Sequence, residues 1–226
     1  GSRIGTSPVV ASRNENNLIN LKDVPILNYH KVDTLNHALS VSSQEFEEQM
    51  EYLYKNQYTT ITPDQLMSYL KHGKELPAKP IMITFDDGYL DNYTNAYPIM
   101  KKYGFTATIF IVTNQVGIDP NFMTWDQIRE MQQNGIVFGS HTVHHKSLTS
   151  LKKEQIISEL TQSRADIAEQ LGSQPKYFAY PTGTYNSDIE EMVRLAGYKA
   201  AFTINYGQVG PDSDLYALER IPIFKG

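Results

Sequence analysis

A steady alternation of short apolar runs with helix-patterned segments limits the folds open to this chain more than any other feature. "VPILNYH" ends at His30, "PIMITF" covers residues 80–85 and "FTATIFIV" covers 105–112; "IVFGSH", "YFAYP", "YKAAFTI" and "LERIPIF" follow. These runs are continuously apolar, as strands buried on both faces are. Helical spacing fills the gaps. Ser42 and Glu45 form a capping box ahead of Phe46, Met50, Leu53 and Tyr54. Thr62-Pro63-Asp64-Gln65 is a second cap, with proline at the first helical position and Gly73 as the stop. "YTNAYPIMKKYG" is helical in pattern, with Pro98 marking a start or a kink. "TWDQIREMQQNG" stops at Gly135, "KKEQIISELTQSRADIAEQLG" is the longest helix and stops at Gly172, and Ser187 with Glu190 caps the last. Such turnover predicts a mostly parallel sheet covered by helices. Seven or eight strands are countable, the weakest near residues 58–61. An open doubly wound sheet and a closed barrel both fit; the count favours an α/β fold closed as a (β/α)7–8 barrel.

With 226 residues and 40% hydrophobic content, the chain suits one sizeable domain. We place that domain at residues 23–226. Residues 1–22 are polar and read as a tether, the opening Gly-Ser pair being a cloning remnant. No run approaches the ~18 apolar residues of a membrane span, so a soluble domain is expected. Lys and Arg total 20 against 25 Asp and Glu, for a net charge of −5 without a basic block, so nucleic-acid binding is not expected. Nor is a nucleotide cofactor. The absence of cysteine removes disulfides, thiolate zinc sites and cysteine nucleophiles together. It fits a bacterial protein acting outside the cytoplasm or on the cell surface, its export signal or anchor removed. Nothing signals oligomerisation, and a monomer is expected. A serine hydrolase is set aside because no G-x-S-x-G occurs.

Ligands of parallel α/β sheets bind beyond the carboxyl ends of the strands. The unusual residues fall there: His30, the adjacent Asp86 and Asp87 of "ITFDDGYLDN", His141, and Tyr180-Pro181. Taken alone, "DDG" reads as an acidic turn and "SHTVHH" (140–145) as a polar loop. Yet that loop holds three of the six histidines. His141 and His145 can converge on one metal if the chain turns helically, and Asp87 would complete a two-His, one-carboxylate set with positions left open.

"TFDDG" followed by "SHTVHH" resembles the first two motifs of the polysaccharide deacetylases, the NodB-homology domains of carbohydrate esterase family 4, over roughly residues 23–226. The resemblance implies a distorted barrel, one divalent ion (Zn2+, with Co2+ or Ni2+ as substitutes), and removal of acetyl from N-acetylglucosamine polymers or acetylated xylan. By position, Asp87, His141 and His145 match the metal ligands and Asp86 the general base. A cation on Asp87 would relieve its repulsion of Asp86 and keep that neighbour ionised to take a proton from the attacking water. His144 matches no ligand position and is expected to face solvent.

"FAYPTGTYN" aligns with a third motif that usually supplies an arginine and a tyrosine; here Ala179 and Thr182 stand in those places. The backbone N–H of Thr182, beside Tyr180 and Pro181, is the candidate oxyanion donor. The last strand lacks the histidine that many relatives keep as general acid and offers Arg220, expected to pair with Asp86 in place of the missing arginine. "LNYHKV" resembles the start of the subgroup acting on biofilm poly-N-acetylglucosamine, which makes His30 the candidate acid. Trp125 offers either a face for a sugar ring or a core contact. The expected function is a metal-dependent N-deacetylase of poly-N-acetylglucosamine or peptidoglycan. Xylan or chitin oligomers as substrates, or a weakly active glycan-binding domain, are the alternatives.

Overall fold

The computed structural model describes residues 23–35 and 37–224. In chain order the elements are β1 (Ile26–Tyr29), β2 (Lys31–Val32), β3 (Ser40–Val41), α1 (Ser43–Lys55), β4 (Thr59–Thr60), α2 (Pro63–His72), β5 (Pro80–Asp87), α3 (Tyr97–Tyr103), β6 (Thr108–Ile111), α4 (Trp125–Gln133), β7 (Val137–Ser140), α5 (Lys153–Leu171), β8 (Tyr177–Ala179), α6 (Ser187–Leu195), β9 (Ala200–Tyr206) and β10 (Leu218–Pro222). The strand order β1-β10-β9-β8-β7-β6-β5 closes on itself because β1 also pairs with β5. Every ladder is parallel. The result is a seven-strand barrel.

β4 explains the distortion. It pairs Thr59 with Pro80 and Thr60 with Ile81 at the start of β5, and β1 takes over the same edge from Met82 onward. The eighth strand therefore shares an edge and never enters the ring. β2 and β3 form a separate two-residue parallel pair that their length hid from the sequence pattern.

All eight residues of β5 are buried, and their alternation sorts two cores. Ile81, Ile83 and Phe85 pack with Phe46, Met50 and Leu53 of α1, under the helical layer. Met82 instead joins Phe110, Phe202 and Leu218, with Leu66 and Met67 of α2 in the same cluster. Truncating a residue such as Phe46 to Ala costs about 3–5 kcal/mol in a core of this kind. A third cluster seats α5 and α6 against β8 and β9 through Leu160, Val193 and Phe178.

The helix caps obey local chemistry. Glu45 N–H donates to Ser42 Oγ at 3.0 Å and Ser42 N–H to Glu45 Oε1 at 2.9 Å. Pro98 falls inside a continuous helical run, in the first turn of α3, directly after a π-helical turn over Asn92–Ala96. One cap differs from expectation. Ser187 is the first helical residue of α6, and Asn186, in extended backbone, is the cap, accepting from Ile189 N–H at 2.9 Å. Among the described residues no helix is long and apolar enough to cross a membrane.

Candidate active site

Barrel closure gathers the carboxyl ends of the strands around a pocket of about 360 Å³, lined among others by His30, Asp86, Asp87, His141, His145 and Thr182. Strand pleating would send Asp86 and Asp87 to opposite faces. Left-handed backbone at Asp87 (φ 83°) and Gly88 (φ 82°) breaks the alternation, and both carboxylates reach the pocket. Such a conformation costs a non-glycine residue about 1–3 kcal/mol and persists only where its surroundings fix it. Glycine suits position 88, because its φ is one that side chains rarely adopt and a Cβ would lie a tight 3.0 Å from Ile111 Cγ2.

Asp87, His141 and His145 each offer a ligand atom, all within 4.8 Å of one another. The Nε2 atoms of His141 and His145 lie 3.3 and 3.2 Å from Asp87 Oδ1. That buried oxygen nonetheless has no hydrogen-bond partner. Two ring nitrogens converging on a bare carboxylate oxygen is an arrangement suited to a shared cation, and an N2O donor set fits a divalent ion of the zinc type. His141 Nδ1–H donates to the Ala179 carbonyl at 2.7 Å, which fixes the tautomer and turns Nε2 toward Asp87. Burial pushes the Asp87 carboxyl up, but the two imidazoles hold it well below the usual carboxylate range. Burial pushes His141 down, yet Asp87 and Asp86 hold it above the ordinary histidine value.

Asp86 sits beside this set, 1% exposed. Arg220 Nη1 and Nη2 donate to its two carboxylate oxygens, each at 2.8 Å. The guanidinium is itself fully buried; Nε donates to Thr203 O at 2.7 Å and Nη1 to Thr84 Oγ1 at 3.1 Å. Burial raises the Asp86 carboxyl, but the Arg220 charge, with His141, outweighs it and leaves the group below its ordinary value. His30 Nε2 stands 3.9 Å from Asp86 Oδ2. Burial pushes this imidazole down, against the pull of Asp86 and Asp87.

The remaining sequence candidates divide. Thr182 lines the pocket in left-handed backbone, φ 58°. Tyr180 also lines it, but its hydroxyl donates to Tyr216 O at 2.7 Å and its ring packs against Phe178 and Tyr185. Pro181 is buried in the short turn between them and does not line the pocket. Trp125 is not brought to the site: it opens α4 and packs against the core under the helices, where its apolar bulk is better buried than at the barrel mouth. His144 is exposed, as expected, and its Nδ1–H also donates to Glu159 Oε2 at 2.6 Å. Residues not singled out from sequence include Asn28, Leu39 and Ile204, which line the pocket, and Glu159 beneath it. Asn28 left a readable trace, an amide inside the apolar run "PILNYH".

Residues 73–201 match the polysaccharide deacetylase family. The chain belongs to that family. It is accordingly a hydrolase of the deacetylase class, which acts on carbon–nitrogen bonds other than peptide bonds. The poly-beta-1,6-N-acetyl-D-glucosamine N-deacetylase of Staphylococcus aureus is 33% identical over 87% of this chain and 77% of its own length. A Streptococcus pyogenes deacetylase, PplD, solved in complex with acetate, superposes with a TM-score of 0.87 at 29% identity, covering 91% of this chain and 94% of that one. IcaB from Ammonifex degensii gives 0.81 at 29% identity, covering 89% and 91%. The deacetylase thus shares with these structures both the barrel and nearly its whole length.

Proposed function

We propose that this deacetylase removes acetyl groups from the N-acetylglucosamine units of an extracellular or cell-surface bacterial glycan, poly-β-1,6-N-acetylglucosamine being the favoured class, with one zinc ion held by Asp87, His141 and His145. The observation that carries the reading is the bare Asp87 oxygen facing two imidazole nitrogens, next to a second carboxylate kept ionised by a buried arginine. The likeness to the staphylococcal N-deacetylase, at 33% identity, supports the substrate class.

When bound, the ion polarises the acetyl carbonyl and acidifies a water as a Lewis acid. The chain does the rest. Asp86 takes a proton from the attacking water, and Arg220 keeps it charged for that purpose by two hydrogen bonds and its own charge. The water oxygen bonds to the acetyl carbon, and the backbone N–H of Thr182 steadies the charge that gathers on the carbonyl oxygen. His30, with Nε2 3.9 Å from Asp86 Oδ2, takes over the proton that Asp86 removed from the water and gives it to the nitrogen as the carbon–nitrogen bond breaks. Acetate and a free amine leave, and the polymer gains positive charge at each site.

Acetate release from β-1,6-linked N-acetylglucosamine oligomers tests this directly. The expected result is turnover abolished by chelation, restored by zinc or cobalt, and lost in Asp86→Asn with metal content intact. Stoichiometrically loaded protein that releases no acetate from these oligomers refutes the assignment.

A further inference from the structure

Helix α5 carries a carboxylate where its pattern calls for an apolar residue. Glu159 lies on the buried stripe Ile156, Leu160, Ser163 and Ile167 and is 8% exposed. The hydrogen bonds of its carboxylate go to two successive residues between His141 and His145. Oε1 accepts from Val143 N–H at 3.0 Å and His144 N–H at 2.9 Å; Oε2 accepts from His144 Nδ1–H at 2.6 Å. One turn further along, Ser163 Oγ donates to the Glu159 carbonyl and lies 2.7 Å from Ser140 Oγ, which in turn accepts from Thr142 N–H at 3.2 Å. α5 thus grips the segment from Ser140 to His144 at two points.

That segment needs gripping. Thr142 and His145 both hold left-handed backbone, φ 71° and 58°, a conformation disfavoured for residues that carry a side chain. Thr142 Oγ1 offsets part of this by accepting from His145 N–H at 2.9 Å. Without further restraint the segment would relax toward ordinary backbone and part the two imidazole nitrogens. Two convergent N–H groups and one imidazole N–H on a single buried carboxylate supply that restraint.

We propose that Glu159 is a positioning residue for the metal centre, holding the 142–145 loop in the strained form that aims His141 and His145 at Asp87. The inference rests on the metal reading above. Outer-shell partners of this kind are worth about 10–100-fold in metal affinity.

The test is Co2+ titration of the full chain, with zinc affinity by competition against a chromophoric chelator, and amide hydrogen exchange on the metal-free protein. Glu159→Ala is expected to keep its fold, to bind either ion about 10–100-fold more weakly, and to give an altered cobalt visible spectrum. Its Val143 and His144 amides are expected to exchange faster without metal present. Glu159→Gln keeps an oxygen acceptor for both backbone N–H groups and is expected to lose less than about tenfold. If Glu159→Ala does not fold, Glu159→Asp, which withdraws the charge by one carbon, carries the same test and is expected to weaken metal binding likewise. Wild-type metal affinity and spectrum in the alanine or aspartate variant overturns the proposal, as does a glutamine variant as weak as the alanine. Failure of the underlying metal reading is distinguishable, because the wild-type protein itself would then bind no ion.

Discussion

Replacing Arg220 by methionine removes one half of a fully buried ion pair while keeping much of the side chain's length. The guanidinium donates to Asp86 twice, to Thr203 O and to Thr84 Oγ1, and sits 5.7 and 6.0 Å from the ring centroids of Phe110 and Phe202. Methionine keeps apolar bulk beside those two rings, so the cavity contribution is small and the uncompensated Asp86 charge dominates. Breaking such a pair costs about 3–5 kcal/mol, which for a chain of this size lowers Tm by roughly 6–20 °C. The pH dependence carries the sharper information. In the wild type, burial raises the Asp86 carboxyl and the Arg220 charge more than reverses it. Its contribution to stability is therefore present above the unfolded pKa and lost as pH falls through the folded one. With arginine gone, only His141 and His30 still oppose burial, so the carboxyl moves upward from its wild-type position and the charged form is favoured less. The deficit of the variant should thus narrow in acid and widen toward neutral pH, while the acid limb of its acetate-release profile moves upward. Thermal unfolding across about pH 4–8 and turnover on the same samples measure both. A deficit independent of pH, with an unmoved acid limb, would refute the coupling.

His30→Ala is expected to keep its metal and lose about 10²–10⁴-fold in kcat, since only proton delivery is removed; metal content and acetate release on one preparation decide it. Asn28 is 1% exposed with neither amide atom hydrogen-bonded, and it lines the pocket. Asn28→Leu should raise stability by about 1–3 kcal/mol, seen as a higher Tm, while raising KM for the glycan. A lowered Tm contradicts that account. Glu190 of α6 is raised to about 7 by burial and by Asp214 beside it. Its folded pKa lies above the ordinary 4.5, so its stabilisation is complete below 4.5 and is lost as pH rises to about 7. Glu190→Gln should flatten the Tm profile across that window, and an unchanged slope assigns the dependence elsewhere.

The barrel was legible because its strands are continuously apolar and its helices carry their starts and stops in sequence, as at Ser42 and Thr62 and at Gly73 and Gly172. The two-residue strands β2 and β3 were not, since no periodicity fits in so short a span. At α6 both Asn186 and Ser187 are capping residue types, and only backbone angles choose between them. Acidic and histidine residues at strand ends drew attention to the pocket by position alone. The contact between Arg220 and Asp86 spans 134 residues, and its only local trace is a charge inside the run "LERIPIF". Glu159 was readable in principle as a carboxylate on a buried helical stripe, once the phase of α5 is known. Trp125 was ambiguous because the same ring suits a sugar or a core, and only its place in the fold, half-buried against the core and away from the pocket lining, separates them.

Closure of the sheet has a bearing on how chains like this one are compared. Arg220 leaves β10 and meets a carboxylate of β5 with β1 between the two strands. Around a ring, a group's address is its height and azimuth, and the strand that delivers it is interchangeable. Ala179 on β8 stands where the family resemblance leads one to expect an arginine, while a guanidinium arrives at Asp86 from elsewhere on the circumference. Scoring motifs one at a time registers a deletion there. Scoring them in space registers a relocation.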